Sequence, residues 1–537
     1  MEDLCYRYPV LGKLVFNNLD DQSLYNCQEA SRVSSQFVIR ERFFWIRVIQ
    51  KYHKNLSEFK NSWDMIIHRT SADTLKQLAI AVHHFFKRRR RAAKRRNIPL
   101  VPIILKDWSP FHIAAESGLM QLCAHVYHKT DDHQLTNKNP ANKRNGVTAL
   151  HVAAQKGHKE IYQFIMDKVE NKNPAAVNGV TPLHLAAQKG YFGICQIILG
   201  CSENTNPFEN NKMTPLHLCA QYGHIETCKL IMNTLENKNP AGLQGWTPLH
   251  LSAGEGHLEI CQLLMDTLQD KNPGSNSGYT PLHFSANQGH LVMCRFIMET
   301  LENKNPADNN GWTPLQTSAK MGHLKVCQLI MDSLKNKNPA DVMGQTPLHK
   351  AAQNGHFEVC QLIMNTLDDM NPADNNGCTP LHMSAEHGHL ETCQLIMNTL
   401  ENKNPEDNFG WTPLHEATAN GYLEICQLIM DTLKNKNPAD ETGKTLLHLS
   451  SEHGHLEICQ LIMETLEEKN PANNNGFTPL HLSAHLGHLE ICRIIMDTLV
   501  DRNPPDFDGI TPLHLASEKG HLEICKLIQC KKQKSTQ

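Results

Sequence analysis

The residues of this chain best equipped for chemistry are its 18 cysteines and 32 histidines. Thiolates and imidazoles serve as nucleophiles and metal ligands, and their spacing decides which of these roles is open to them. Eleven cysteines stand at 195, 228, 261 and every 33 residues onward to Cys525, and histidines return on the same interval at His184, His217 and His250. Each of those histidines meets one cysteine eleven residues later, and no Cys-x-x-Cys pair occurs anywhere. Zinc needs four converging ligands, so this pattern predicts no metal and no cofactor. Neighbours in the cysteine ladder would lie a helix-packing distance of about 8–10 Å apart, beyond the roughly 7 Å limit for a disulfide. They read as small buried hydrophobes of a reducing compartment. The chain has no phosphate-binding loop, no Gly-x-Ser-x-Gly and no kinase motif set, and no catalytic residue is expected.

The same interval describes the elements that carry these side chains. Thr-Pro-Leu-His, or a near variant, recurs every 33 residues from Thr148 to Thr511. A threonine caps a helix and a proline tolerates its first position, so one helix starts at each Thr-Pro. It should run about ten residues, to a Gly-His such as Gly256-His257, where glycine supplies a left-handed turn. A second helix follows with Leu258, Cys261, Leu264 and Met265 at helical spacing on one apolar face. Asn-Pro and Asn-Gly then favour a hairpin-like connection. No single unit buries its own apolar face, so copies must stack.

With its Thr-Pro-Leu-His, Gly-His and Asn-Gly signatures, the unit closely resembles the ankyrin repeat. The resemblance implies an all-α solenoid in which each repeat is two helices plus a β-hairpin loop. It covers 107–530 as thirteen repeats, the most divergent beginning at Ser109-Pro110-Phe111-His112. It also implies that the recurrent histidine is a structural hydrogen-bonding residue, and that hairpin tips and the ends of first helices line a protein-binding face. The residue before each threonine varies, and Trp246, Tyr279, Trp312, Trp411 and Phe477 occupy that site, with Met321 just before a glycine. Large aromatics there suit interface anchors, and packing between adjacent hairpins is the competing reading. Gln316 replaces the histidine, with Thr317 and Lys320 nearby; it marks either the centre of a site or drift. Ankyrin repeats can be hydroxylated on a turn asparagine, whereas the structural reading has the Asn of Asn-Pro bonding its own backbone.

Residues 1–105 carry 19 Lys plus Arg against 9 Asp plus Glu, net +10, in a chain whose net charge is −3. Two regions with different partners are expected. Pro9, Leu11, Leu14, Phe16, Leu19, Leu24 and a closing Trp45 follow an order that resembles the F-box, placed at 1–50. That resemblance implies docking on the Skp-type adaptor of a cullin–RING ubiquitin ligase, with the solenoid holding the substrate. A small helical cap, its leucines filling a core, is the alternative. Residues 51–86 repeat apolar positions at helical spacing and read as a linker or cap covering the solenoid's open end. Within 87–96, Lys87, Arg88, Arg89, Arg90, Arg91, Lys94, Arg95 and Arg96 form a nuclear-import candidate. A solvated spacer is its rival, and nucleic-acid binding lacks interleaved aromatics. A polar tail fills 531–537. Without a long apolar run or a signal-like start, the chain is expected inside the cell, in cytoplasm, nucleus or both.

Overall fold

The computed structural model describes residues 110–124, 139, 141–142 and 144–530. The F-box-like segment 1–50, the linker 51–86, the basic run 87–96 and the tail 531–537 lie outside the described residues. The chain divides after Gln269 into two compact units. In the first, helix pairs run from Ala149–Lys156 with Lys159–Met166 to Pro248–Gly254 with Leu258–Met265, preceded by Pro110–Ser117. The second runs from Pro281–Gln288 with Leu291–Glu299 to Pro512–Lys519 with Leu522–Gln529. Within each unit, first helices pack on first helices and second helices on second, giving two layers.

The local chemistry of one repeat explains this order. Thr280 holds an extended backbone at φ −108° and ψ 165°, and Pro281 opens the helix behind it. His283 closes the cap: its Nδ1 accepts the Thr280 N–H at 3.1 Å and lies 2.9 Å from the Thr280 hydroxyl. The first helix here spans eight residues, shorter than the ten expected because Thr280 and Gly289 are its caps, and its neighbour Pro314–Lys320 seven, because Met321 already turns before the glycine. Gly322 sits there at φ 75°, and a Cβ on it would meet the His356 ring at 2.6 Å. The second helix buries Met293, Cys294, Ile297 and Met298, so the cysteine ladder is core, as its period implies. Its C-terminal carbonyls are taken by a lysine two residues before the proline: Lys337 Nζ donates to Met331 O at 2.7 Å and Lys403 Nζ to Met397 O at 2.6 Å.

Two expectations need correction. The connection is a hydrogen-bonded turn, not a β-hairpin: Asp308 N donates to Trp312 O at 2.7 Å, and the described residues contain no strand, only an isolated bridge between Ala439 and Thr445. The cause is local, because Asp308 Oδ1 takes the N–H groups of Asn310 and Trp312, both at 2.8 Å, which a ladder would otherwise use. The asparagine of Asn-Pro, in turn, does not bond its own backbone. Asn305 Oδ1 accepts the N–H of Leu315 at 3.0 Å, ten residues on, and so satisfies an orphan donor in the first turn of the next helix.

Candidate protein-binding face

The histidine before the first-helix core is committed to structure. Its Nδ1 accepts at the cap, so Nε2 carries the proton and reaches across to the neighbouring repeat: His283 to Trp312 O at 2.9 Å, His448 to Phe477 O at 3.0 Å. Burial drives the His283 imidazole down to about 4, with the Trp312 carbonyl opposing. Gln316 is fully buried and repeats the arrangement, its Oε1 accepting Thr313 N at 2.9 Å and its Nε2 donating to Gln345 O at 2.8 Å. It is a structural equivalent of the histidine. Among the described residues, no group of three or more His, Cys, Asp or Glu is placed to hold a metal. His481 and His485 stand one helical turn apart, but His481 is spent on Thr478 and on Ile510 O at 3.1 Å.

Those cross-repeat bonds hold the residue before the threonine by its backbone, leaving its side chain to vary; His415 is an exception, its buried Nε2 having no hydrogen-bond partner. The aromatic candidates then divide. Tyr279 packs inward on its own helix, 4.6 Å from the His283 ring and edge-on to Phe284 at 5.1 Å, and burial pushes its hydroxyl up to about 12. Trp411 and Phe477 lie tilted over His415 at 5.8 Å and His481 at 5.1 Å. These three rings therefore pack in part on the first helix of their own repeat, which is not the packing between adjacent hairpins that rivals the anchor reading. Trp246 belongs to the first unit, where it is 37% exposed beside a 3-10 turn at Leu243–Gly245.

Trp312 differs. Its ring lies under two ammonium groups, Lys350 Nζ at 4.5 Å and Lys320 Nζ at 5.3 Å from its centroid. Met321, 46% exposed, follows Lys320 at the end of the same helix. Lys350 is 6% exposed, its ammonium 3.8 Å from Asp341 Oδ2 and bonded to Gln345 Oε1. Burial lowers the basicity of Lys350 and Asp341 opposes that pull. Asp341 Oδ1 pins the turn through Met343 N and Gln345 N, both at 2.9 Å, while its buried Oδ2 has no hydrogen-bond partner and faces the Lys350 charge. Two repeats further on, Glu416 occupies the position equivalent to Lys350. Burial, then Glu386 and Asp407, push its carboxyl up to about 7. One layer thus carries a cationic patch around Trp312 and an acidic one around Cys378, which stands where Trp312 stands two repeats earlier and feels Asp374, Asp407 and Glu416.

Lys350 and Glu416 escaped the reading by type and spacing, although a signal was present. Four residues after the threonine, every other repeat from Thr148 onward holds an apolar residue or Thr317, and these two alone are charged. The F-box-like residues and the basic run cannot be placed, being outside the described residues.

A family profile described as "Ankyrin repeats (3 copies)" matches the chain at 111–207, 192–273, 266–341, 331–406, 388–473 and 462–537. The chain belongs to the ankyrin-repeat family, whose members are protein–protein interaction modules. No curated protein matches it. No helix among the described residues is long and apolar enough to cross a membrane.

Proposed function

We propose that this chain is the substrate-recognition subunit of a cullin–RING ubiquitin ligase. The first-helix face of residues 270–537 holds a partner protein, and the F-box-like segment docks the Skp-type adaptor. The observation that carries the binding half is the Trp312 patch: a large ring with two cations on it and an exposed methionine beside it, on a face whose other side chains vary from repeat to repeat. Aromatic anchors of this kind dominate interface energetics. The opposite charges near Trp312 and Cys378 suit a partner segment that is acidic at one end and basic at the other. The ligase half rests on the order Pro9, Leu11, Leu14, Phe16, Leu19, Leu24 and Trp45. A scaffold without a ligase link is the second reading, favoured by the repeats alone; the basic run 87–96 would then serve nuclear import.

The test is co-purification of the full-length chain with the Skp-type adaptor and cullin. Wild type should recover both, and a Leu19→Ala/Leu24→Ala pair should lose both while helical content and thermal unfolding of the repeats stay unchanged. If wild type recovers neither, or the pair loosens the repeats instead, at roughly 2–5 kcal/mol per deeply buried leucine, the segment is a cap and the scaffold reading replaces the ligase.

A further inference from the structure

The cysteine ladder has one irregular rung. Opposite the ladder cysteine, five residues after the capping threonine, the repeats hold alanine or serine, with a single exception at Cys219. Where serine stands, it contacts the ladder thiol: Ser252 Oγ lies 3.1 Å from Cys261 Sγ, Ser285 Oγ 3.3 Å from Cys294 Sγ, and Ser384 Oγ 3.2 Å from Cys393 Sγ. In the exceptional repeat the contact is between two thiols. Cys219 Sγ, on the helix Pro215–Gln221, lies 2.8 Å from Cys228 Sγ, on the helix Ile225–Met232. Both are free and wholly buried. Burial, then the hydrogen bond with Cys228, raise the Cys219 thiol well above its ordinary range.

We propose that Cys219 and Cys228 are an oxidative modification site, a dithiol that closes to a disulfide joining the two helices of one repeat, with a small-molecule disulfide such as glutathione disulfide as oxidant. The first protein thiolate attacks a sulfur of the oxidant; the oxidant's S–S bond breaks, a mixed disulfide forms and one glutathione leaves as a thiol. The second cysteine then attacks the protein sulfur of that mixed disulfide and expels the second glutathione. Two protein S–H bonds are lost and one protein S–S bond is gained. Two electrons and two protons pass to the released glutathiones. Because only nine positions separate the cysteines and the folded helices already hold their sulfurs in contact, the second step is intramolecular and faster than attack by another thiol. Burial sets the rate of the first. A protonated, enclosed thiol reacts only when its helix pair opens locally, and the closed disulfide is shielded from reductants in the same way. The site therefore answers to sustained oxidation rather than to a brief pulse.

The tryptic peptide 213–229 contains both cysteines and no internal Lys or Arg, so the state of the pair can be read from one fragment. Reduced full-length protein is incubated with glutathione disulfide until the exposed Cys201 is glutathionylated. It is then acid-quenched, alkylated, digested and weighed. The expected peptide is lighter by two hydrogens, takes up no alkyl group, and reverts with dithiothreitol. Cys219→Ser reproduces the serine arrangement of the sister repeats and should keep the fold. Its peptide should form no internal disulfide, Cys228 carrying either one alkyl group or one unresolved glutathione, and the gain in thermal stability that oxidation gives wild type should vanish. Two alkyl groups on the wild-type peptide, or a separate glutathione on each cysteine, would overturn the proposal.

Discussion

A buried neutral imidazole makes repeats such as that of His283 sensitive to acid, and Gln316 shows how that sensitivity can be removed. His283 holds a proton only below about 4 in the folded chain, whereas an unfolded histidine takes one up below about 6.5. The unfolded state therefore binds more protons between those values. Stability is fully present above 6.5 and is lost as pH falls through the window, at about 1.4 kcal/mol per pH unit for each such residue. His217, His415 and His448, also held near 4, add to the slope. His283→Gln should leave thermal unfolding at pH 7.5 close to wild type, since Gln316 makes the same bonds, and should flatten the loss between pH 6.5 and 4.5 by one residue's share. Urea titrations of the two proteins across that range provide the check. Equal slopes would mean that His283 is protonated, or already broken from Trp312, in the folded state.

At the scale of helix and turn, the buried Lys350–Asp341 pair joins a first helix to the turn before it and carries one face of the Trp312 patch. Such pairs contribute little net stability, but breaking one leaves a charge stranded. Replacing both at once, Lys350→Met with Asp341→Asn, which supplies the residue found at Met383 and strands no charge, should be neutral or stabilising while weakening partner binding by about 1–2 kcal/mol through the lost cation. Asp341→Asn alone keeps the turn bonds of Oδ1 and removes the counter-charge, so it should destabilise by roughly 3 kcal/mol at neutral pH. Unfolding and binding measured side by side separate the two. Helix starts were legible because the Thr-Pro cap and the left-handed glycine act within a few residues of themselves. What escaped was made across elements. Asn305 bonds Leu315 ten residues on, Lys350 meets the Trp312 ring from the next repeat, and Cys219 touches Cys228 across a turn, whereas counting in steps of 33 compares each cysteine only with its equivalents. The β-hairpin was over-read because Asn-Gly marks a turn and says nothing about where the donors of its arms go.

For the molecule as a whole, the contacts between repeats recur at constant sequence intervals. In the second unit the cap histidine reaches 29 residues ahead, as from His349 to Cys378, the turn asparagine 33 back, as from Asn375 to Val342, and the Gly-His histidine 36 back, as from His389 to Gln353. Removing residues 379–411 would join Cys378 to Thr412 and restore each of these bonds with the next copy. Such a deletion should lower stability by about one repeat and its interface while leaving helicity per residue unchanged. Removing one residue fewer should disrupt the junction, and circular dichroism with urea titration tells the two apart. Read as heredity, the constant interval means that mispairing between copies of the coding sequence, when it adds or drops whole units, yields a chain that still folds. Its length, and with it the reach of its binding face, is a trait that recombination changes in quantised steps.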